Sequence, residues 1–112
     1  MKVNTPRQKA VLKALRALIP LAPYADFEPI AEAIKSRHMR NLSPVDAAWL
    51  ATIAHIRHRH TEYDQLRDEG YDHDSARFFI VDDTNEILSD WGATRLLDNT
   101  ETEDQSGLNR QT

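Results

Sequence analysis

The sequence predicts an all-α fold: a compact bundle of about four helices over residues 1–97, followed by a disordered acidic C-terminal tail over 98–112. Three observations carry that expectation. The chain has only three glycines, and no run of strand length alternates apolar and polar residues. Two proline-based start signals, Thr5-Pro6 and Ser43-Pro44, each precede a stretch with helical periodicity.

The first helix opens at Thr5-Pro6-Arg7-Gln8, where Thr5 caps, Pro6 suits the first helical position and Gln8 completes a capping box. Val11, Leu15 and Leu18 form one stripe, while Lys9, Lys13 and Arg16 share the opposite face. Pro20 and Pro23 end it. A second helix is expected from Asp26 to about Arg37, with Pro29 in its first turn and Phe27, Ile30, Ala31 and Ile34 on its buried side. Residues 36–42 read as a basic connector.

Ser43-Pro44-Val45-Asp46 starts the third helix, with an acid in the first turn. Val45, Trp49, Ile53, Ile56, His60 and Tyr63 lie within about 40° of one line and are expected to face the core. Thr61-Glu62-Tyr63-Asp64 is itself a capping sequence, so one long helix to Asp68 with local irregularity at His60–Thr61 is expected, ended by Gly70. A last major helix, capped by Asp72 or Asp74, runs through Trp91 with Ala76, Ile80, Thr84, Ile87 and Trp91 as its stripe. Gly92 stands as a C′ residue, and Ala93–Leu97 is expected to add a short helical turn.

At 112 residues the chain suffices for one modest core. No run of about 18 apolar residues exists to span a membrane, and the N-terminus lacks the apolar stretch of a signal peptide. With no cysteine, disulfides, thiolate metal sites and a cysteine nucleophile are excluded, and the cytosol is the expected compartment. The net charge of −4 conceals a division. Residues 1–60 carry ten Lys/Arg against four acids, and residues 61–112 four Arg against fourteen acids. A basic face attracts polyanions, although such halves also attract each other on folding.

The chemistry-bearing residues concentrate between His55 and Arg77, which hold four of the five histidines and four arginines. On a continuous helix His55, His58 and Glu62 share a face, and two imidazoles with a carboxylate can bind zinc or iron. His73, with Asp72 and Asp74, could complete such a set. The plain alternative is an exposed polar face. His60 is expected as a half-buried imidazole bonded to a carboxylate or backbone group. Arg57, Thr61 and Asp64 align on one flank, and Arg77, set against the helix dipole, calls for a partner such as Asp64 or Asp68. These groups either clasp two helices or fork an anionic ligand. Ser43 and Ser75 read as helix-start residues, not nucleophiles.

The stretch Arg57-His58-Arg59-His60-Thr61-Glu62-Tyr63-Asp64-Gln65-Leu66 resembles the R-H-x-H-T-x-Y-D-x-L signature of domain-of-unknown-function family 2293, a set of small bacterial proteins. The resemblance continues through Gly70 and Ala76-Arg77 to Leu88 and Trp91, covering roughly Pro44 to Trp91. Arg67 stands where that family often has a second leucine, and His73 where it often has arginine. The resemblance implies no reaction.

The expected function is a non-enzymatic helical interaction module without a cofactor. Arg57, His58, Arg59 and the stripe Lys9, Lys13, Arg16 would contact nucleic acid or an acidic protein, with His60, Thr61, Tyr63, Asp64 and Arg77 in the binding segment. One alternative is a metal-assisted hydrolase using His55, His58 and Glu62. Another is a structural homo-oligomer joined through Phe78 and Phe79.

Overall fold

The computed structural model describes residues 5–98, which are all-helical, with no strand among them. Six α-helices form, more than the four expected: α1 (Pro6–Leu18), α2 (Tyr24–Ala33), α3 (Pro44–His60), α4 (Tyr63–Asp68), α5 (His73–Phe79) and α6 (Val81–Asp90). A 3-10 turn at Arg37–Met39 links α2 to α3. The expected tail, apart from Asp98, lies outside the described residues.

Helix α1 follows its local signals. The Thr5 hydroxyl accepts from the Gln8 N–H at 3.0 Å, and Val11, Leu12, Leu15 and Leu18 are buried. Arg7 adds a tie that periodicity does not foretell, donating to the carbonyls of Leu42 and Met39 at 2.8 Å each. Helix α2 starts two residues before the expected Asp26, because the extended Pro23 offers its carbonyl to the Asp26 and Phe27 N–H groups. Pro29 therefore sits inside the helix and not in its first turn. The helix also ends earlier, at Ala33, where bonds from Lys35 to Glu32 and from Ser36 to Ala33 tighten the chain into i→i+3 turns.

Helix α3 is the centre of the molecule, touching α1, α2, α4 and α6. Because neighbours surround it, its buried residues spread around its circumference: Ala47, Ala48, Trp49, Ala51, Thr52, Ile53 and Ile56. Val45, expected in the core, is 65% exposed in the first turn. The expected long helix stops at His60. Thr61 takes an extended conformation, and its hydroxyl donates to the Arg57 carbonyl while accepting from the Tyr63 N–H. One side chain thus satisfies both a helix end and the next helix start.

The expected last helix is likewise two. Ile80, at φ −107° and ψ 8°, closes α5 and opens α6. The physical reason is the presence of two apolar clusters. Ala76 and Ile80 pack with Tyr63 and Leu66, whereas Leu88 and Trp91 join the main core with α1, α2 and α3. A straight helix would direct one stripe at one target; the break at Ile80 re-aims it.

Gly92 (φ +69°) ends the run as expected, and a Cβ there would meet Leu21 at 3.2 Å. Residues 93–97 are not helical. They form a strap held by Asn85, whose side chain donates to the Leu97 carbonyl and accepts from the Leu97 N–H at 2.9 and 2.7 Å. Thr94 N–H reaches the Leu18 carbonyl at 3.1 Å.

Thr84 is fully buried in α6 and its hydroxyl has no hydrogen-bond partner among the described residues. An isosteric apolar side chain removes that desolvation cost without leaving a cavity. Thr84→Val is therefore expected to stabilise the fold by about 1 kcal/mol, read as a higher midpoint in urea; an unchanged or lower midpoint would show a satisfied hydroxyl.

Candidate functional site

Two polar clusters form around the C-terminal end of α3, on different sides of it. The first joins helices distant in sequence. Pro23 places Asp26 in the first turn of α2, and the Asp26 Oδ1 lies 2.8 Å from His55 Nε2 and 2.6 Å from His60 Nε2. Trp91 walls the pair, with ring centroids 6.5 Å from His55 and 5.8 Å from His60. The His55 side chain is 8% exposed, Asp26 17% and His60 32%, so the group opens to solvent on the His60 side. Burial pushes the Asp26 carboxyl up, but the hydrogen bonds from both imidazoles outweigh it and hold the group below its ordinary value. His60 thus meets a carboxylate, as expected, but it is exposed at the end of α3 and does not face the core.

The second cluster is built by the break at Thr61. Tyr63 is buried, and the Arg57 guanidinium lies over its ring, 5.0 Å from the centroid. The Tyr63 hydroxyl pairs with His73 Nδ1 at 2.6 Å, and Arg67 meets His73 Nε2 at 3.1 Å and the Tyr71 carbonyl at 2.8 Å. Arginine only donates, so Nε2 accepts; a neutral His73 then carries its proton on Nδ1 and donates to the Tyr63 oxygen. His58 Nδ1 pairs with Asp64 at 2.7 Å on the exposed rim. Arg57 is turned inward, and burial first, then the like charge of Arg77, lowers its pKa. Arg57 and Arg77 line one narrow crevice with Ile53, Ile80, Val81, Thr84 and Leu97. Arg77 also reaches Asp74, at 3.6 Å, a long contact to an exposed carboxylate.

Among the residues singled out from sequence, Arg57, His58, Tyr63, Asp64 and Arg77 do gather near the α3–α4–α5 junction. Arg59 is exposed beside them. Lys9 and Lys13 are exposed on α1, and Arg16 lies over Phe27 at 5.9 Å. His55, His58 and Glu62 are distributed otherwise than a continuous helix would have them: His55 goes to Asp26, His58 to Asp64, and Glu62 is exposed at the start of α4. Asp26 is the residue that sequence reasoning missed. It lies 29 positions from His55, and its one local signal, an acid in a first helical turn, says nothing of a histidine partner.

A third feature is apolar. Tyr71, Phe78 and Phe79 are 42%, 64% and 54% exposed and touch edge to face, with centroids 5.4 and 5.9 Å apart. Asp74, Asp82 and Asp83, all exposed, lie close to them in the chain. Two crevices lie elsewhere, between α1 and α2, and neither is lined by a residue of the histidine clusters. No helix among the described residues is long and apolar enough to cross a membrane.

No curated protein and no solved structure matches the chain. A family model does match, over residues 14–92, a span that takes in Asp26, both histidine clusters, the aromatic surface and Trp91. The chain belongs to the family described as Uncharacterized conserved protein (DUF2293).

Proposed function

We propose that the chain is a non-enzymatic helical docking module whose contact surface is the aromatic face of α5. The observation that carries this reading is the exposure of Tyr71, Phe78 and Phe79 side by side, on and next to a helix of seven residues that buries only Ala76. Contiguous exposed aromatics mark protein contacts, and aromatic side chains supply most hot-spot area. The nearby carboxylates Asp74, Asp82 and Asp83 favour a partner with an apolar centre and a basic rim. They also set two copies of α5 against each other by like charge, which argues for a different protein. The clusters around Tyr63 and His58 support this as internal clasps: they hold α4 and α5 so that the aromatic face is presented rigidly.

The test is selection of displayed helical peptides on the full chain, with the double variant F78S/F79S as counter-selection. Enriched peptides are expected to carry apolar residues flanked by Lys or Arg and to lose at least tenfold in affinity for the variant. Enrichment indifferent to the substitution would remove the surface from consideration. Sedimentation that shows a wild-type dimer dissociated by F78S/F79S would reassign the surface to self-contact.

A second reading keeps a polyanion as partner and rests on the exposed Lys9, Lys13, Arg16, His58 and Arg59. Arg57, turned onto Tyr63, contributes less to it. Nucleic-acid binding through these groups is expected to weaken steeply with salt, as counterion release requires.

A further inference from the structure

We propose that Asp26, His55 and His60 form a binding site for a divalent transition cation of the zinc class, which clamps α2 to the C-terminal end of α3. The donor set has the right chemistry. Two imidazole nitrogens and a carboxylate oxygen suit zinc, cobalt(II) or iron(II), and three protein ligands leave a position for water. The three donor atoms lie within 4.8 Å of one another, and both nitrogens already aim at one oxygen. Metal–ligand bonds of about 2.0–2.1 Å place neighbouring donors about 3.3 Å apart in a tetrahedron. The spans of 2.8 and 2.6 Å thus need to open by roughly half an ångström. His60 can supply that movement, since it is the last residue of α3 and the most exposed of the three.

The surroundings fit the same reading. Trp91 closes one side and keeps both rings in place, while the His60 side is open to solvent, giving the cation a route and water a coordination position. Neither other histidine group has this convergence. His58 has one carboxylate, Asp64, on the exposed rim, and His73 is engaged by a tyrosine hydroxyl and an arginine. On binding, each Nε2–H that donates to Asp26 is broken: its proton passes to solvent, the imidazole carries its one remaining proton on Nδ1 (taken up from solvent where Nδ1 was bare), and the freed Nε2 lone pair goes to the metal.

The experiment uses the full chain without a histidine tag, titrated with cobalt(II) as a spectroscopic probe and with zinc by calorimetry. One equivalent is expected to bind, with cobalt absorption bands of low coordination number. Zinc at about a hundredfold excess over its dissociation constant is expected to raise the unfolding temperature by about 10 °C or more. H60A and D26N should each weaken binding at least tenfold and abolish the thermal shift, whereas H58A should leave both unchanged. H60A keeps the test sound if D26N fails to fold, because His60 lies at an exposed helix end. Absence of saturable binding, binding that survives H60A, or loss of binding in H58A would each overturn the site.

Discussion

Leu88→Ala is expected to destabilise the protein by about 2–5 kcal/mol. Leu88 is completely buried on α6, in the cluster that also holds Trp91 and the apolar residues of α1, α2 and α3. The substitution removes three heavy atoms from a site enclosed by several helices, so the walls cannot collapse fully and a cavity term adds to the lost transfer energy. In a domain of this size, the unfolding temperature should fall by about 10 °C or more. The denaturant midpoint should drop with an unchanged slope, because the surface exposed on unfolding stays the same. A loss under about 0.5 kcal/mol, the size typical of a surface change, would mean that α6 is not packed on α3 as described.

Tyr63→Ala is expected to cost about 3 kcal/mol or more, with a local signature. The Tyr63 ring is the middle of the smaller cluster, against Ala76, Ile80 and Leu66, with Arg57 above it and His73 on its hydroxyl. Its removal deprives α4 and α5 of their shared apolar contact and leaves the main core intact. Hydrogen exchange should therefore show protection lost first over residues 63–79, while α1 and α3 stay protected. Tyr63→Phe separates the parts: it keeps the ring and removes only the hydroxyl bond to His73, at a cost of about 1 kcal/mol. Uniform loss of protection in Tyr63→Ala would show that the two clusters unfold as one unit.

Helix starts were legible wherever the signal is local. Thr5 before Pro6, Ser43 before Pro44 and Asp72 before α5 each cap an N–H three residues on, and Gly70 and Gly92 end their segments at positive φ. Less legible were the ends that depend on what lies opposite. The expected start of α2 at Asp26 was late because an extended proline can cap through its carbonyl alone. The continuous stripe from Ala76 to Trp91 masked the break at Ile80, since both halves bury apolar residues but in different clusters. Val45 has the right periodicity for the core, but its exposure shows that periodicity does not say where the neighbours stop.

The candidate sites divide along the same line. His58 and Asp64, or Tyr63 and His73, are six and ten residues apart, and the segment that holds them stood out by composition alone. The grouping of Asp26 with His55 and His60 spans 29 and 34 residues and exists because α2 lies across the end of α3. Residues by themselves determined the helical class, the caps and the histidine- and arginine-rich segment, all of which depend on interactions within one or two turns. Which histidine meets which carboxylate was decided only when the helices packed, because that pairing depends on the angle and offset between elements that no local pattern encodes.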